Sequence, residues 1–91
     1  MTKKEKHIVL VALVSEIRYV DLCLKARGCR INLESEQVKD IKNTFLKLNN
    51  QFFKNDKVVL NANNEYLEMI LEEIKNGGIK KWTKEIAKVW L

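Results

Sequence analysis

Ile8-Val9-Leu10-Val11-Ala12-Leu13-Val14 is the stretch whose reading decides the fold. Seven consecutive apolar residues, several of them β-branched, suit a buried β-strand as well as the start of a buried helix. The residues that follow separate the two. Leu10, Leu13, Val14, Ile17, Val20 and Leu24 recur at helical spacing well past the apolar run, so the spacing predicts one helix over about 3–27. Thr2 is placed to cap it, with Glu5 three residues on to complete a capping box. Gly28 is a natural stop, and Lys25 and Arg27 stand in the last turn where the helix dipole favours cations.

Outward from this helix the same periodicity continues. Val38, Ile41, Phe45, Leu48 and Phe52 are spaced 3, 4, 3 and 4, a heptad-like seam that predicts a helix over about 34–54. Asn32 or Ser35 can cap it. Residues 57–62 read either as an extended loop pinned by Val59 and Leu60 or as helix. Asn61 or Asn63 then caps a helix over about 63–76, whose apolar set is Tyr66, Leu67, Ile70, Leu71 and Ile74, with Met69 at the edge. Gly77 and Gly78 end it. Ile79, Trp82, Ile86 and Val89 predict a last helix over 79–91. The chain contains no proline and three glycines, so few turns are obligatory. The expected fold is all-α: a four-helix, bundle-like single domain of 91 residues.

Composition narrows the function. The apolar fraction of 46% is ordinary for a globular protein. The net charge of +5 is uneven: residues 1–30 carry +4, residues 55–78 carry −3 and residues 79–91 carry +3. That polarity favours an anionic partner or complementarity between copies of the chain, while a lysine-rich solvated surface is the plainer alternative. Cys23 and Cys29 are too few for a disulfide framework and read as reduced thiols in a cytoplasmic protein. Lys3, Lys4 and Lys6 before the apolar run resemble a signal peptide's basic start, but Ser15-Glu16-Ile17-Arg18 offers no small-x-small cleavage site. The run is also far shorter than the roughly 20 apolar residues of a membrane span. The expected chain is neither exported nor membrane-spanning.

Catalytic chemistry finds no foothold. His7 is the single histidine, and it lies more than four turns from Cys23 on one helix, so the two cannot form a nucleophile–base pair within the chain. There is no C-x2-C or H-x3-H spacing for zinc and no P-loop, so neither enzyme activity nor cofactor is expected. Glu65, Glu68, Glu72 and Glu73 read as a solvated helix face. No segment presents several bases with Asn or Gln in a recognition-helix pattern.

Two sets of residues stand out. Lys25, Arg27 and Arg30 around the first turn, with Lys80, Lys81, Lys84 and Lys88 on the last helix, can engage phosphate. Ile8, Val9, Leu10 and Val11, with Trp82 and Trp90, can form an apolar interface, because residues 8–14 point in every direction around a helix and one neighbouring layer cannot cover them. A homodimer is expected on that ground. In size, basicity and four-helix plan the chain resembles class IIa bacteriocin immunity proteins, which implies a protein-binding inhibitor or immunity factor working through apolar helix faces. The residues themselves favour a non-enzymatic binding or regulatory protein for nucleic acid or another anionic macromolecule. The Lys/Asn/Ile-rich composition is that of AT-rich genomes, so a phage or mobile element is the expected setting.

Overall fold

The computed structural model describes residues 1–76. They form three α-helices: α1 (Lys3–Ala26), α2 (Glu36–Phe53) and α3 (Lys57–Lys75). No strand occurs among the described residues. The all-α reading holds, and residues 8–14 are helix. The count differs from the four expected: the described part is a three-helix arrangement, and the helix expected over 79–91 lies outside it.

Local chemistry accounts for both ends of α1 and for the starts of α2 and α3. Thr2 and Glu5 form the capping box: Thr2 N donates to Glu5 Oε1 at 2.7 Å and Glu5 N donates to Thr2 Oγ1 at 3.1 Å. At the other end of α1, Gly28 takes φ +72°, a conformation that costs glycine nothing. Its N–H bonds Lys25 O at 3.0 Å, and Cys29 N bonds Leu24 O at 2.8 Å, the two bonds of a Schellman stop. Ser35 caps α2 by accepting from Val38 N. Asn32, the other candidate, instead closes a local turn onto Glu34 N at 3.0 Å.

The third helix begins at Lys57, well before the expected start at 63. Asp56 is its cap, accepting from Val59 N at 3.3 Å, so residues 57–62 are helix and not loop. Val59 and Leu60 hold this added length against the core. Asn63, one of the residues expected to cap, is buried in mid-helix.

Leu10, Val14 and Ile17 of α1 meet Val38, Phe45 and Phe53 of α2 and Leu67, Ile70 and Ile74 of α3. On α2 the fully buried line is Val38, Phe45, Asn49 and Phe53, with Ile41, Leu48 and Phe52 half-buried beside it. The contact stripe is therefore rotated slightly from the heptad seam, as a 3.6-residue helix drifts from a 3.5-residue repeat. The rotation places Asn49 in the core. Its amide donates to Leu60 O at 3.0 Å and Asn64 Oδ1 at 2.9 Å, and its oxygen accepts from Asn63 Nδ2 at 2.9 Å.

Candidate anion-binding surface

Among the described residues, the cations singled out by sequence are Lys25, Arg27 and Arg30, and they do not share one pocket. Lys25 pairs across one helical turn with Asp21, 3.1 Å away, and Asp21 is almost completely buried. Arg30 is exposed and lines a cleft of about 470 Å³ together with Lys25, Lys75, Asp21 and Glu34. Arg27 caps α1, is exposed, and is not among the residues lining that cleft. Lys25 and Arg30 are thus brought together, in surroundings of mixed sign. Lys80, Lys81, Lys84, Lys88, Trp82 and Trp90 lie outside the described residues.

A second basic region lies at the opposite end of α1. Lys6 Nζ is 3.4 Å from Phe52 O and 5.9 Å from the ring centres of Phe52 and Phe53. α2 has no base of its own in its last turn, so Lys6 supplies the cation that its terminal carbonyls favour. The contact sets the start of α1 beside the end of α2 and the start of α3. Lys3, Lys4, Lys6, Lys54 and Lys57 therefore share one end of the helical array. The two acids there are held by backbone: Glu5 in the α1 capping box and Asp56 as the α3 cap. The hydrogen bonds from Thr2 hold the Glu5 carboxyl below its ordinary range. His7 packs on Phe53 at a ring separation of 5.1 Å, and burial, with a smaller contribution from Lys3, pushes its imidazole below the ordinary value. His7 is consequently neutral at pH 7, and the positive potential of this end comes from lysines.

The outer face of α2 runs into the same end. Asn43, Lys47, Asn50, Gln51 and Lys54 are all exposed and lie on one side of the helix. Amides interleaved with lysines form there a face that the sequence reading missed, since it found no segment combining several bases with Asn or Gln. Sequence proximity cannot gather the lysine end either, since its members are separated by about half the chain. The legible signal is the lysine-rich start together with Lys54 and Lys57 around the second turn, combined with antiparallel packing across it.

The chain matches no protein-family model, no curated protein and no solved structure. The likeness in size and basicity to bacteriocin immunity proteins accordingly has no matching family behind it. Among the described residues no three His, Cys, Asp or Glu side chains are grouped to hold a metal ion. Cys23 is a half-buried thiol and Cys29 an exposed one. No helix among the described residues is long and apolar enough to cross a membrane.

The residues expected at an apolar interface also divide. Ile8 is 60% exposed, Val9 and Val11 are half-buried, and Leu10 is wholly buried. Leu10 belongs to the core of the single chain because its direction coincides with that of Val14 and Ile17. The apolar run is not buried as a unit. Among the described residues, packing takes one side of α1 and leaves Ile8, Ala12, Ser15, Tyr19, Leu22 and Ala26 on the other side exposed.

Proposed function

We propose that this chain is a non-enzymatic binding protein that engages an anionic macromolecule, nucleic acid in the first place, in a regulatory role. The observation that carries the reading is the gathering of Lys3, Lys4, Lys6, Lys54 and Lys57 at one end, with the neighbouring Glu5 and Asp56 occupied as helix caps. Lysine side chains at such an end neutralise phosphates without a shaped pocket, and affinity then comes chiefly from counterion release. The amide-bearing face of α2 adds groups able to donate and accept at base edges. Arg27 and Arg30, exposed at the far end of α1, form a separate and smaller set of cations.

The test is a titration of labelled duplex DNA and single-stranded RNA at several salt concentrations. Binding should weaken steeply with salt. Replacing Lys3, Lys4, Lys54 and Lys57 together by glutamine should reduce the steepness of the log–log salt dependence by roughly 3 to 4, at about 0.9 for each duplex phosphate no longer neutralised. No binding at low salt, or binding indifferent to salt, would overturn the proposal.

A second reading is a protein-binding factor of the immunity type, acting through an apolar helix face. It is favoured by one observation: Ile8, Tyr19 and Leu22 stand more than half exposed on α1. Its affinity would depend little on salt, which separates the two readings.

A further inference from the structure

Ile8, Ala12, Ser15, Tyr19, Leu22 and Ala26 follow one another at intervals of 4, 3, 4, 3 and 4 along the side of α1 that faces away from α2 and α3, and all six are exposed. Ile8 is 60%, Tyr19 64% and Leu22 51% exposed. No charged residue lies on this line; Glu16 and Arg18 flank it, one on either side. An uncharged line with this spacing is the seam of a helix pair.

We propose that this face pairs with the same face of a second copy, with the two α1 helices antiparallel. The sizes of the side chains select that arrangement. Antiparallel pairing about a two-fold axis near Ile17 sets Ile8 against Ala26 of the second copy, Leu22 against Ala12 and Tyr19 against Ser15. Every layer joins a large side chain to a small one. Parallel pairing would oppose Tyr19 to Tyr19 and Ala12 to Ala12, crowding one layer and leaving a void in another. The contact is isologous and closes at two copies. Given the exposures of the three large residues, the line offers on the order of 600 Å² per copy, so the pair would bury roughly 1,200 Å² in total, the lower edge of the range for specific interfaces. The dimer should therefore assemble at micromolar and not nanomolar concentration. The two Glu16 carboxylates come to the same side near the two-fold axis, so salt should leave the pairing intact or tighten it.

Sedimentation equilibrium of the full chain tests this. At high micromolar concentration the wild type should show twice the chain mass of 10.7 kDa. Leu22→Glu should give the single-chain mass with its helical circular dichroism unchanged, because Leu22 makes little of the core. Ala12→Leu should weaken association by overfilling its layer, and Ala12→Leu with Leu22→Ala should restore it, since the swap rebuilds the same layer only in the antiparallel arrangement. A monomeric wild type, a dimer indifferent to Leu22→Glu, a dimer loosened by salt, or a double variant no better than Ala12→Leu alone would each overturn the proposal.

Discussion

Asn49 has both amide hydrogens and its oxygen engaged by α3, at distances of 2.9 to 3.0 Å, while its side chain is shut off from water. A buried amide so placed stabilises one axial register of the α2–α3 hairpin, because sliding either helix by a turn strands three polar groups in the core. Truncating it leaves the Asn63 amide without its acceptor and opens a small cavity. Asn49→Ala should lower stability by about 2–3 kcal/mol in urea titration. Asn63→Ala should cost less when Asn49 is already gone, with a coupling on the order of 1 kcal/mol. His7 adds a pH dependence of known sign. Its imidazole is pushed below the ordinary value of 6.5 in the folded chain, so the unfolded chain binds the proton more readily. The stabilisation is complete above 6.5 and is lost as pH falls from there through the lower folded-state value. Thermal melts from pH 7.5 to 5 should show a falling midpoint, and His7→Gln should flatten the fall. Glu5, the other group lowered by its surroundings, is held below an ordinary value of 4.5 and so lies outside this window.

At the level of elements, each helix end follows from side chains within a few residues of it, and this is where sequence reading succeeds. The Thr2–Glu5 box and the Gly28 stop are both legible, because each depends on local hydrogen bonds. Gly28 sits at positive φ with no atom within 4 Å of where a Cβ would stand, so substitution there meets backbone strain and no clash. Gly28→Ala should destabilise by about 1 kcal/mol, and Gly28→Asn by less, as read from chemical denaturation. The start of α3 is the least legible boundary. Asn61 and Asn63 compete for the reading as caps, while Asp56 lies in the short turn after α2. Asp56→Ala should remove about 1 kcal/mol and fray the first turn of α3, seen as faster amide exchange at residues 58–60.

Across the whole molecule, charge is the property that folding reorganises most. Lysines from the start of α1 and from the α2–α3 turn meet at one end, while Lys25 is paired with a buried aspartate at the other. Gathering like charges costs stability that salt restores by screening. The melting temperature should rise as salt is added from low ionic strength. The fourfold Lys3, Lys4, Lys54 and Lys57 to glutamine variant should melt higher at low salt and show a smaller salt response.

What the sequence determined by itself is the helical class, the α1 and α2 helices with the Thr2, Gly28 and Ser35 end signals, and the apolar face of α3, since these rest on side chains a few positions apart. What only the tertiary structure decided is which side of α1 is bare, why an asparagine sits in the core, and which lysines share a surface. Those depend on contacts such as that of Lys6 with Phe52, 46 residues apart, and on the rotation of each helix against its neighbours. A periodic pattern defines a helix's apolar side to within a residue or so. Packing resolves that last residue, and at Asn49 the difference separates a surface amide from a buried one.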